Sequence, residues 1–171
     1  MTTLNSSDAS EDTYLARIES LVEQIIRHAG FDLKFTVRKC AGTEDDSGTQ
    51  QIVIDFEGTD SDLLLEKNGA LLDAIEYVVL KAARIDDEHY AAISFDCRDW
   101  RRVRMEELRL TAQMAARQAI ETGSPFYLTP MSPRERRIIH LALKDEATVR
   151  TMSEGSGPTR KVVIYPATNP S

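Results

Sequence analysis

Ser132-Pro133-Arg134-Glu135-Arg136-Arg137-Ile138-Ile139-His140 joins a complete helix start to an arginine and a histidine one turn apart. Ser132 is a capping residue, Pro133 suits the first helical position, where a backbone N–H would go unpaired, and Glu135 completes an S-x-x-E capping box. A helix is therefore expected to begin at Pro133. At about 100° per residue Arg136 and His140 share a face, with Arg137 and Lys144 nearby, while Ile138, Leu141 and Ala142 point roughly the other way. This spacing predicts one side packed on a core and the other free to meet an anion. A solvated basic face on an ordinary amphipathic helix has the same spacing.

Beyond this helix the chain continues with Val149-Arg150-Thr151-Met152, the turn-forming run Ser153-Glu154-Gly155-Ser156-Gly157-Pro158, and Arg160-Lys161-Val162-Val163-Ile164. The order reads as helix, strand, glycine-rich loop, strand. Together, M-S-P-R-E-R-R-I-I-H-L-A-L and S-E-G-S-G-P-T-R-K-V-V-I resemble the R-3-H domain as it occurs beside a KH domain in the bacterial Jag family. The R-x-x-x-H signature falls on Arg136 and His140.

The resemblance implies binding of single-stranded nucleic acid, mainly RNA, with no chemical step and no cofactor. Arg136 is expected to contact a phosphate, and His140 to donate a hydrogen bond or stack on an unpaired base. Arg134 and Arg137 add charge beside them. Ser153, Gly155 and Gly157 would bring loop backbone and a hydroxyl to the strand, and Arg160 with Lys161 would extend the positive surface if their strand lies alongside. A tight hairpin is the plainer reading of the glycine loop.

Upstream, Tyr14-Leu15, Ile18, Leu21-Val22 and Ile25-Ile26 recur at helical steps up to Gly30. Phe35–Arg38 and Gln51–Phe56 read as an antiparallel strand pair separated by the acidic stretch 42–48. Asp62-Leu63-Leu64-Leu65, a break at Glu66-Lys67-Asn68-Gly69, a longer helix through Ala83 and a strand from Tyr90 to Phe95 follow. This αββααβ order resembles a type II KH domain, in which a G-x-x-G loop lets a nucleic-acid backbone approach. Here Glu66 stands where the first glycine is expected, which adds bulk and negative charge beside the phosphate path. The resemblance then implies a degenerate loop and a scaffold or dimer role for this half. The fold class expected is α+β: a tail over 1–11, a KH-like domain over 12–97, an R-3-H module of helices on a small three-stranded sheet over 98–165, and a tail over 166–171. Many Jag proteins carry a further N-terminal domain, for which the short leader leaves no room.

The net charge of −7 argues at first against a nucleic-acid partner, but its distribution matters more. Residues 1–97 hold 8 Lys and Arg against 20 Asp and Glu, whereas residues 98–171 hold 13 against 8. The second half is therefore the candidate anion binder. Arg98, Arg101, Arg102 and Arg104 could supply an auxiliary phosphate track. Cys40 and Cys97 lack metal-ligand or disulfide spacing and read as buried, reduced thiols, and Trp100 as packing. There is no P-loop, metal cluster or nucleophile elbow, so an enzyme is not expected. No apolar run has the length of a membrane span and no signal peptide precedes the first helix, which points to a cytoplasmic protein. The expected partners are single-stranded RNA or DNA, with a second copy or a small KH protein as a pairing partner. A protein adaptor with little direct RNA binding is the alternative.

Overall fold

The structure, a computed structural model, describes residues 6–40, 51–85, 87–90 and 92–167. The acidic stretch 42–48 and the outer parts of both expected tails, residues 1–5 and 168–171, lie outside them. The chain divides into two compact units, Met1–Trp100 and Arg101–Ser171. The division falls after Trp100 and not at Cys97 because the Trp100 ring packs against the first core.

In the first unit α1 (Ser6–Ala29) begins well before the expected Asp12. Part of the expected tail is therefore helical. Ile18 and Val22, one turn apart, are fully buried. They pack with Ile52, Ile54 and Phe56, the alternate residues of β2 (Gln51–Gly58). β1 (Leu33–Cys40) pairs antiparallel with β2, and β3 (Ile93–Cys97) pairs parallel on its other side. The third strand starts later than Tyr90 because Asp87–Tyr90 forms a short helix, α3. Parallel pairing brings Ile93, Phe95 and Cys97 opposite Ile52, Ile54 and Phe56, so one apolar row continues across the sheet. Cys97 is buried as expected, whereas Cys40 is only half-buried.

α2 (Ser61–Ala82) is two helices joined at a kink over Glu66–Gly69, the break that the sequence marks. Leu64 before the kink and Leu72, Ile75, Val79 and Leu80 after it close the core. The unit is a mixed α and β domain with a KH-like arrangement of sheet and helices.

In the second unit α4 (Trp100–Thr122) and α5 (Pro133–Ala142) pack on a three-stranded antiparallel sheet. Its order is β4 (Phe126–Tyr127), β6 (Lys161–Pro166), β5 (Val149–Glu154). Leu108, Ala112, Ala115, Ala116 and Ala119 give α4 a narrow buried stripe, whose small residues allow close approach to the sheet. β6 reaches Pro166, the first residue of the expected C-terminal tail. Among the described residues no helix is long and apolar enough to cross a membrane, and no group of three His, Cys, Asp or Glu side chains could hold a metal.

Candidate nucleic-acid interface

α5 starts as its sequence dictates. The Ser132 hydroxyl accepts from the Glu135 amide at 3.3 Å, and the Glu135 carboxylate accepts from the Ser132 amide at 3.0 Å. Arg104 donates to the same carboxylate at 2.8 Å, so the negative charge of the cap is matched locally. Met131 N–H donates to the Arg160 carbonyl and Leu128 N–H to the Val162 carbonyl, which fixes the start of α5 beside β6.

The buried side of α5 differs from the expected one. Ile139 and Leu143 are buried, whereas Leu141 is half exposed. Arg136 and His140 therefore sit at the margin of the packed face, against β5, and not on a free opposite face. Arg136 Nη1 donates to Ser153 Oγ at 3.2 Å. His140 Nε2 lies 2.9 Å from the same Ser153 Oγ, and Nδ1 lies 2.6 Å from Thr151 Oγ1. The two signature residues thus converge on one hydroxyl. Both ring nitrogens of His140 lie within hydrogen-bond distance of protein hydroxyls, Nδ1 of Thr151 and Nε2 of Ser153, so the imidazole orients those hydroxyls. Thr151 is a site residue that the sequence expectation omits; its two-residue spacing from Ser153 on a strand is the signal that puts both on one face.

Arg136 cannot accept and a neutral imidazole accepts once. Thr151 and Ser153 carry two hydroxyl hydrogens, so whichever ring nitrogen is protonated, one of them remains for an outside acceptor. Arg136 Nε is buried with no hydrogen-bond partner, and among the described residues no carboxylate pairs with this guanidinium. An unpaired donor on a charged group is costly, so burying this Nε is a cost that the surrounding packing offsets.

Burial, and then the charge of Arg136, hold the pKa of His140 below its ordinary 6.5. The unfolded chain therefore takes up a proton before the folded one does. The contribution of His140 to stability is complete above about pH 6.5 and declines as pH falls below it. A polyanion at Arg136 offsets the repulsion that lowers this pKa. In an imidazole NMR titration the His140 midpoint is expected below 6.5 in the free protein and higher with RNA bound; a midpoint unmoved by RNA would place the anion elsewhere.

The other expected residues divide. Arg134, Arg137 and Arg160 are exposed. Gly155 has φ +86°, a conformation that side chains rarely adopt, and a Cβ there would make a tight 3.1 Å approach to the Thr159 carbonyl oxygen, so the hairpin favours glycine chiefly for its conformation. Ser156 and Gly157 carbonyls accept from the Thr159 and Arg160 amides, so those two amides are spent within a tight turn. Lys161 does not extend the Arg136 cluster. Ser153 pairs with Val162, so the neighbouring Lys161 lies on the opposite face of the sheet.

The auxiliary arginine track is largely spoken for. Arg98 pairs with Asp62 at 2.7 Å, and Arg104 with Glu135 at 2.8 Å and Glu107 at 3.2 Å. At the degenerate KH loop, Lys67, Asn68 and Gly69 take left-handed conformations in succession, while Glu66 does not. Gly69 is buried, and a Cβ there would lie 2.6 Å from Trp100 Nε1. Trp100 is packing, as expected.

The R-3-H domain profile matches residues 106–166. The chain is 33% identical over 115 residues to the RNA-binding protein KhpB of Clostridium symbiosum, covering 67% of this chain and 52% of that protein. It is 32% identical to the KhpB of Lactiplantibacillus plantarum over 70% of this chain and 37% of that protein. Against the KhpB of Bacillus subtilis it is 30% identical over 86% of this chain and 74% of the relative. The chain belongs to the KhpB/Jag family. It spans about half or less of the length of the first two KhpB relatives and about three quarters of the third. The R-3-H match encloses every member of the Arg136, His140, Thr151 and Ser153 cluster.

Proposed function

We propose that this chain binds single-stranded nucleic acid, mainly RNA, through Arg136 and the hydroxyls that His140 orients. The observation that carries the reading is the convergence of Arg136 Nη1 and His140 Nε2 on Ser153 Oγ, beside a guanidinium that no carboxylate pairs among the described residues. Arg137 and Arg160, both exposed, add phosphate contacts, and Arg134, Gly155 and Gly157 shape the approach. The names of its KhpB relatives support RNA as the ligand. Backbone contacts give weak sequence preference.

The experiment is titration of single-stranded RNA, single-stranded DNA and duplex at several salt concentrations. Single strands are expected to bind better than duplex, and the log-log salt slope should be about −0.7 per phosphate contacted. Equal binding of duplex, or binding without salt dependence, would overturn the reading.

Residues 12–97 serve as a type II KH-like domain whose main role is scaffold and pairing surface. Tyr77 and Val78, neighbours on α2, stand 59% and 54% exposed, which suits a second copy or a small KH protein. Sedimentation with and without RNA separates pairing from RNA binding. Glu66 repels phosphate at the loop, and removing one such charge in high dielectric is worth about 0.7 kcal/mol. Glu66→Gly is therefore expected to tighten RNA binding about threefold; an unchanged Kd would put the loop off the path.

A further inference from the structure

Strand register divides the second sheet into two faces. Thr151 pairs with Ile164 and Ser153 with Val162 on the face where the buried residues of α4 and α5 gather. The alternate pairs lie on the outer face: Met152 opposite Val163, Arg150 opposite Tyr165, and Tyr127 opposite Val163 from the far side. Val163 is fully buried yet belongs to neither hydrophobic core. Its cover is shallow, since the flanking Tyr127 is 56% and Met152 44% exposed. Lys161 Nζ rests 5.0 Å from the centre of the Tyr127 ring, and Arg150 Cζ 4.8 Å from that of Tyr165. Glu154 accepts a hydrogen bond from the Tyr165 hydroxyl.

We infer that this outer face is a second surface for single-stranded nucleic acid, on which Tyr127 stacks an unpaired base while Lys161 and Arg150 meet the flanking phosphates. The exposed Tyr127 ring beside Lys161, with the half-buried Tyr165 ring beside Arg150, matches a base and its flanking phosphates, whereas an acidic peptide would use the cations and leave the Tyr127 ring idle. The Lys161 ammonium stands on a flexible stem. Stacking of a base on the ring outweighs an exposed cation–π contact, so an arriving base displaces the ammonium toward a phosphate. Ser153 on one face and Lys161 on the other lie at the same end of the β5–β6 hairpin, whose turn ends at Arg160. One strand can therefore run from Arg136, past Arg160, onto Tyr127. The inference rests on the proposed reading in taking a single strand as the ligand.

The test is anisotropy titration of the full chain with a labelled twelve-nucleotide oligouridylate, with and without competing polyglutamate. Tyr127→Ala is expected to weaken binding about tenfold, and Tyr127→Phe, which keeps the ring, to bind as wild type. Should Tyr127→Ala melt early, Lys161→Gln carries the same test, with binding about threefold weaker and a shallower salt slope expected. Wild-type affinity in both Tyr127→Ala and Lys161→Gln, with Arg136→Ala impaired, overturns the outer face and leaves the Arg136 reading standing. Impaired Tyr127→Ala with unimpaired Arg136→Ala supports the outer face and removes the Arg136 site. Polyglutamate competing as well as RNA marks a protein-binding face and overturns the inference.

Discussion

Arg136→Ala is expected to weaken the binding of single-stranded RNA by about 10- to 100-fold, since a hydrogen bond to a charged group is worth about 1.5–3 kcal/mol. Arg136 is singled out from the neighbouring arginines by its surroundings. Arg98 and Arg104 already pair with carboxylates, whereas among the described residues the hydrogen-bond partner of Arg136 is the Ser153 hydroxyl. Arg136→Lys should recover only part of the loss, because an ammonium keeps the charge but not the planar fork. His140→Ala should cost less, since the ring acts through Thr151 and Ser153. Because Arg136 and His140 share Ser153 Oγ, the double variant is expected to lose less than the two single effects combined. Anisotropy titration measures each value. Wild-type affinity in the double variant would remove the site.

Gly69→Val is expected to destabilise the first unit by about 2–4 kcal/mol, the sum of a strained backbone and an overpacked contact. Gly69 has φ +75°, a conformation that a β-branched residue rarely adopts, and its Cβ would lie 2.6 Å from the indole nitrogen of Trp100. That ring is rigid and packs against the first core, so it cannot yield as a flexible side chain would. Gly69→Ala should lose less. Trp100 is the one tryptophan of the chain, so its fluorescence reports this core during urea unfolding. A lower urea midpoint is expected; an unchanged one would mean that the indole does not lie beneath the loop.

Features set by neighbouring residues were legible in the sequence. The capping box at Ser132, the strand alternation of Ile52, Ile54 and Phe56, and the break at Glu66–Gly69 each depend on a few adjacent side chains. Features set by pairing between distant segments were not. The face of α5 that packs is decided by where β5 lies, and so Leu141 is exposed while Ile139 and Leu143 are buried. Strand register, invisible in a single strand, turns Lys161 away from Ser153 and brings Thr151 under His140. The arginines at the start of α4 look free along the chain because Glu135, which pairs with Arg104, lies 31 residues away.

The most direct measurement is side-chain and amide NMR on the full chain during addition of single-stranded RNA. The largest shifts are expected on Arg136, His140, Thr151 and Ser153, with those of the Ile54 and Phe95 core unmoved. Tight RNA binding with these four residues silent would contradict the proposed site.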